Sequence, residues 1–142
     1  MKIVIDTNIL FSALLNPDSV IGSILMNISN QFDFYAPETL KYELEYYSDK
    51  IIKYSKLEKS DISELKTKFF KCINFVNEDF ISENSWKEAF DVMKEVDEKD
   101  TPFLALAIEL SAKIWTGDKK FQSAIENFNS NLIMSTKELV KS

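Results

Sequence analysis

Apolar residues open the chain as a short unbroken run. Lys2–Ile5 places Ile3, Val4 and Ile5 in succession, and Asp6, Thr7 and Asn8 end it at once. A β-branched run without polar alternation predicts a buried parallel strand that closes in a polar turn. The period then becomes helical: Val20, Ile21, Ile24, Leu25 and Ile28 recur at the spacing of one helix face, behind Asp18 or Ser19 as the cap. Residues 32–36, closed by Pro37, predict a second strand. Beyond it Leu40, Leu44, Tyr47 and Ile51 share one face of a further helix.

Two capping signatures follow. Asp61 with Glu64 predicts a helix that turns Ile62, Leu65, Phe69 and Phe70 inward and leads into a strand at Ile73–Val76. Ser85 with Glu88 predicts another, with Trp86, Ala89, Phe90 and Met93 inward. Thr101-Pro102 starts the next helix, because proline suits a first turn, and its stripe is Phe103, Leu104, Ala107 and Leu110. Residues 114–116 predict a strand, 121–128 a helix and 132–134 a final strand. Strands alternating with helices predict an α/β class: one domain with a central parallel sheet and helices on both faces, an α/β/α sandwich.

Composition narrows the chemistry. At 142 residues and 45% apolar content the chain can build one core, and two glycines and three prolines leave nothing that marks a linker, so a single domain over 1–142 is expected. No run approaches the roughly 20 apolar residues of a membrane span, and a strand stands where a basic leader would, which predicts a cytoplasmic protein. Cys72 is the only cysteine and histidine is absent. Serine–histidine and cysteine–histidine triads and zinc sites of cysteine and histidine are therefore excluded. The net charge of −6 argues against a general nucleic-acid coat.

What remains is carboxylate chemistry. In open parallel sheets, ligands bind beyond the carboxyl ends of the strands where the strand order reverses. Asp6 follows the first strand directly, and Asp118 follows residues 114–116; Glu43 lies early in a helix after a strand, and Asp100 precedes the helix opened by Pro102. All four could face one sheet edge. Two unit charges 4 Å apart repel by about 4 kcal/mol at an effective dielectric near 20, so a cluster implies compensation. Hard divalent ions such as Mg²⁺ and Mn²⁺ prefer oxygen ligands and keep waters that a phosphate can displace. The bland alternative is that each acid is a cap or turn residue, which for any one taken alone is the commoner role.

These residues resemble the PIN-domain family over nearly the whole chain. "IVIDTNILFSALL" looks like that family's first strand and metal aspartate, "YAPETLKYEL" like its second motif with Glu43, "DEKDTPFLALAIEL" like the third with Asp100, and "IWTGDKKF" like the fourth with Thr116 and Asp118. The resemblance, nearest to toxins of the VapC type, implies a metal-dependent ribonuclease acting on single-stranded or looped RNA. It also implies one or two Mg²⁺ or Mn²⁺ ions per site, a small antitoxin partner and a homodimer. Asp6, Asp100 and Asp118 are then the principal metal ligands, with Glu43 a ligand directly or through water.

Asn8 and Thr116 are candidates to hold those carboxylates or a phosphate-bound water, against helix capping for Asn8 and strand-end packing for Thr116. Asp97, one turn before Asp100, reads as a solvated loop acid with an outer ligand as the alternative. Lys120 stands where many relatives carry Asp or Asn, so it and Lys119 meet either phosphate or solvent. Trp86, Phe90, Phe103 and Phe121 read as core, while Tyr42, Tyr46 and Tyr54 fall off the main stripe and suit a dimer surface or antitoxin groove. A catalytically silent PIN-like module that binds RNA or protein is the alternative function. A phosphatase using Asp6 as nucleophile would need a second Asp where Asn8 stands.

Overall fold

The computed structural model describes residues 1–27 and 31–141. The first strand forms as predicted, β1 (Lys2–Ile5), and Ile3, Val4 and Ile5 are all fully buried. Successive side chains of a strand point to opposite faces, so burial of all three requires cover on both sides of the sheet. Among the described residues β1 pairs in parallel with β2 (Asp33–Pro37) and with β4 (Lys113–Trp115), and β3 (Ile73–Val76) extends β2, giving the order β3-β2-β1-β4. The chain steps outward from β1 through β2 to β3, then returns to the other side of β1. The reversal therefore falls between β1 and β4.

The polar turn expected after β1 is instead the start of a helix, α1 (Thr7–Leu15), with Asp6 as its cap. Its signal was present but short: Ile9, Leu10, Ala13 and Leu14 recur at helical spacing and are buried. α2 (Val20–Asn27) follows, and Ser19 caps it by accepting from the Gly22 N–H at 3.2 Å. Ile28, the end of the predicted stripe, lies outside the described residues. Gly22 is required by a close approach, since a Cβ there would stand 2.3 Å from the Pro17 carbonyl oxygen.

The single helix predicted after Pro37 is two, α3 (Thr39–Tyr46) and α4 (Ser48–Tyr54), broken at Tyr47 where φ is −94° and ψ 9°. The Tyr47 ring packs edge-on against Phe11 of α1, 5.9 Å between centroids, and Leu40, Leu44 and Ile51 keep the buried stripe across the break. The start of α3 is held from far along the chain. Glu78 accepts hydrogen bonds from both the N–H (2.8 Å) and the hydroxyl of Thr39, satisfying a helix-start donor that no neighbouring side chain caps.

Both capping signatures are misplaced by about one turn. α5 (Lys59–Lys71) begins behind Glu58, leaving Asp61 inside the first turn, and α6 (Glu83–Met93) is capped by Ser82, which accepts from the Ser85 N–H at 3.3 Å. Ser85, Ala89 and Met93 are the buried row of α6, which packs on α7. Phe90 consequently lies off that row and is 44% exposed, contrary to its expected core position, while Trp86 is half-buried.

α7 (Thr101–Leu110) opens with Pro102 as predicted and buries Phe103 through Ala107 without interruption, because it lies across β1, β2 and β4 and also packs on α6. α8 (Lys119–Asn129) buries Phe121 and Ile125. The strand expected at 132–134 is reduced to one bridge, Ile114 to Ile133, because a 3-10 turn at Ser130–Leu132 and the Ser135 cap of α9 (Thr136–Lys141) confine it from both ends. Among the described residues no single helix is long and apolar enough to cross a membrane.

Candidate active site

The carboxyl ends of β1 and β4 meet where the strand order reverses, and register brings their following residues together: Ile5 pairs with Trp115, and the Asp6 N–H donates to the Trp115 carbonyl at 3.0 Å. Asp6 is only 5% exposed, and both of its oxygens are engaged. Oδ1 accepts from the Thr7 N–H at 2.8 Å, and Oδ2 accepts from the Thr116 hydroxyl at 2.6 Å. Thr116 Oγ1 in turn accepts from the Asp118 N–H at 3.0 Å, while Asn8 accepts from the Gly117 N–H at 3.3 Å. Asp118 caps α8 through one oxygen, Oδ1, which accepts from Lys120 and Phe121 N–H groups at 2.9 and 3.3 Å.

α3 brings Glu43 to the same place, and the 3-10 turn Glu98–Asp100 brings Asp97 and Asp100. Together with Asp6 and Asp118 these acids line one cleft of about 350 Å³. Phe11 and Tyr47 form its apolar wall, and Lys50 and Lys99 are the cations on its rim. Asp97 caps the 3-10 turn by accepting from the Lys99 N–H at 3.1 Å, so it is both a loop acid and a member of the cleft. Lys120 is not. It stands on α8 beside a separate depression with Val96 and Ser123, and touches the site only through its backbone.

The acids sense one another. Burial pushes the Asp6 carboxyl up to about 6, with the charges of Asp118 and Asp97 adding to the rise and the Thr116 and Thr7 hydrogen bonds opposing it. Burial, then the charge of Asp6, pushes Glu43 up to about 7 despite nearby Lys99. Asp100 rises furthest, to about 8, through burial and then the charges of Asp6, Asp97, Asp118 and Glu43. Among the described residues none of the five forms an ion pair. The Thr7 hydroxyl is buried and bears on the Glu43 carboxylate, lowering its pKa, without meeting the geometry of a hydrogen bond.

A family model for the PIN domain matches residues 4–133. The chain belongs to the PIN-domain family. PIN domains form a family of nucleases, and this one is 34% identical over 122 residues to an uncharacterised protein of Methanocaldococcus jannaschii, covering 84% of this chain and 72% of that one. The fold also matches that of one chain in the crystal structure of VapBC2 from Rickettsia felis bound to a DNA fragment from their promoter. The likeness has a TM-score of 0.72 at 15% identity and covers 95% of this chain and 98% of that one.

The donors in the PIN cleft are all oxygens, which suits a hard divalent ion. Among the described residues no three acids stand close enough to hold one ion between them as they are placed. That spacing still fits Mg²⁺, which is commonly bound through one or two carboxylates with water completing its shell. The residues that motif reading passed over are Lys99, which lies inside the third motif, and Tyr47 and Lys50, at and just after the break between α3 and α4. Nothing in the local pattern separates the two lysines from surface positions, and Tyr47 read only as a member of the apolar face it shares with Leu40, Leu44 and Ile51.

Thr116 is open to a direct test. Thr116→Val removes the hydroxyl that donates to buried Asp6 and accepts from Asp118, at an expected cost of about 1–3 kcal/mol. The lost bond favoured the charged carboxylate, so the Asp6 pKa should rise further and the cost in urea melts should be larger at pH 8 than at pH 5. An equal cost at both would assign Thr116 to packing alone.

Proposed function

We propose that this PIN domain is a divalent-metal-dependent endoribonuclease that hydrolyses phosphodiester bonds of single-stranded or looped RNA. The observation that carries the reading is the meeting of acids from four separate segments in one cleft at the sheet's reversal point, without a pairing cation among the described residues. Asp6, Asp100 and Asp118 would hold Mg²⁺ or Mn²⁺, one or two of them directly and the rest through water of its shell, with Glu43 joining directly or through water. When bound, such an ion polarises a phosphoryl oxygen and lowers the pKa of a water to supply the nucleophile.

The chain's own residues do the rest. Thr116 and the Thr7 N–H fix the orientation of Asp6, and Asn8 and Gln122 tie down the loop that carries Asp118 by bonds to Gly117 N–H and the Thr116 carbonyl. Lys99 and Lys50 offer positive charge at the rim to an incoming phosphate, the role that sequence pattern suggested for Lys120. The likeness to a VapBC2 assembly supports a toxin role, with a small antitoxin covering the cleft and a second copy completing a homodimer, in a cytoplasmic setting.

The deciding experiment incubates the pure chain with labelled single-stranded RNA, with Mn²⁺ or Mg²⁺ and with chelator. Internal cleavage that requires the ion is expected. RNA binding without cleavage in either metal would favour the silent binding module instead.

A further inference from the structure

We propose that a tyrosine-lined hollow beside the acid cleft is a stacking platform for an unpaired nucleobase of the RNA strand, next to the phosphodiester to be cleaved. The inference rests on the ribonuclease reading above. Tyr42 and Tyr46 of α3 are 77% and 81% exposed, and with Tyr47, Lys99 and Pro102 they line a hollow of about 400 Å³. Hollow and cleft share Glu43, Tyr47 and Lys99, so they are adjoining parts of one surface.

A row of rings connects them. Phe11 in the cleft wall meets Tyr47 edge-on at 5.9 Å and 70°, and Tyr47 meets Tyr46 edge-on at 5.2 Å and 86°. Tyr46 ends the row at the surface. Packing of the fold does not call for the Tyr42 and Tyr46 rings, since α3 buries Leu40 and Leu44 instead. Tyr42 and Tyr46 are one helical turn apart and Tyr42 adjoins Glu43, so the helix that delivers an acid to the cleft presents two rings beside it.

RNA fits this surface better than a protein side chain does. Single-stranded RNA is recognised through unstacked bases laid on aromatic rings, and such stacking tolerates any sequence. The Lys50 ammonium stands 5.8 Å from the centroid of the Tyr47 ring, and Lys99 lies on both walls; Glu43 and Glu98 line the hollow as well, so the cations stand on the side shared with the cleft while the rings offer the stacking surface. A planar ring carried on an anionic linkage matches rings and ammonium groups placed this way. The acid cleft then lies one step along the same strand.

The test compares an intact single-stranded RNA with versions lacking one base at each position around the cleaved bond. For wild type, one abasic position should raise KM roughly tenfold or more. Tyr46→Ala and Tyr42→Ala should raise KM on intact RNA to a similar degree, leave kcat at saturation within about twofold, and add nothing on that abasic RNA. Tyr46→Phe should behave as wild type and Tyr46→Leu as the alanine variant.

If wild type cleaves RNA but the alanine variants keep its KM, or lose as much on abasic as on intact RNA, the platform is wrong and the nuclease stands. If wild type cleaves nothing, the nuclease reading fails, and anisotropy with the same oligonucleotides decides the platform: binding must depend on both the base and the tyrosines, or the proposal falls. Loss of self-association or of a co-expressed protein partner in Tyr46→Ala, with RNA handling unchanged, would assign the hollow to protein and overturn it.

Discussion

Asp6→Asn is expected to abolish metal-dependent cleavage of single-stranded RNA while the chain stays folded. Asparagine retains an oxygen for the Thr7 N–H, so the cap of α1 survives, and it removes the most buried of the clustered charges. Loss of partners that merely orient metal ligands typically costs about 10–100-fold, so loss of the central carboxylate should cost at least the upper end of that range. Asp97→Asn should cost much less, since asparagine can cap the 3-10 turn in its place. Equal losses at the two positions would move the role from Asp100's neighbourhood to Asp97 itself. In cells, expression of the wild-type chain should slow growth and the Asp6→Asn chain should not; equal slowing would separate toxicity from cleavage.

The second large effect needs no substrate. Without metal, stability should fall as pH rises from about 4 to 8, and a divalent ion should remove most of that fall. Asp6, Glu43 and Asp100 are raised from ordinary values of 3.8, 4.5 and 3.8 to about 6, 7 and 8, so the folded state holds these protons more tightly than the unfolded chain. Their stabilising contribution is complete below about pH 4 and is lost as pH rises through the raised values. For Asp6 the loss is on the order of 3 kcal/mol, whereas solvent screens the wetter Glu43 and Asp100 and discounts what their larger rises contribute.

An ion that binds only the folded cluster stabilises by about 2.7 kcal/mol at a hundredfold excess over Kd, or roughly 5–10 °C in melting temperature. Asp100→Asn should raise metal-free stability at pH 8 and shrink the metal-induced rise. Asp118→Asn should leave metal-free stability unchanged or higher, because asparagine also caps α8, and should likewise blunt the response to Mn²⁺. If millimolar Mn²⁺ at pH 8 shifts wild type no more than these variants, the acids do not form a metal site.

Periodicity was a good guide where an element buries a continuous face. β1 and α7 lie where their apolar runs put them, because a short β-branched run or a stripe behind Pro102 has one efficient way to be buried. It failed where a local pattern had a close competitor. The Ser85–Glu88 signature lost to Ser82, whose hydroxyl reaches Ser85 and whose N–H finds Glu109 across the α6–α7 contact. Residues 132–134 have strand composition but only one register position free of the flanking caps.

The candidate site divides along the same line. Residue types and order were legible in the chain: acids directly after strands, no histidine, one cysteine, and four motifs whose sequence pointed to Asp6, Glu43, Asp100 and Asp118. Their meeting depends on contacts between segments far apart in the chain, above all Thr116 with Asp6 and Glu78 with Thr39, 110 and 39 residues apart. Local pattern carries no information about such pairs, because propensity and period act over a few turns while sheet order sets which strand ends become neighbours. The same reason put Lys99 and Tyr47 into the cleft, left Lys120 outside it, and placed two exposed tyrosines beside Glu43.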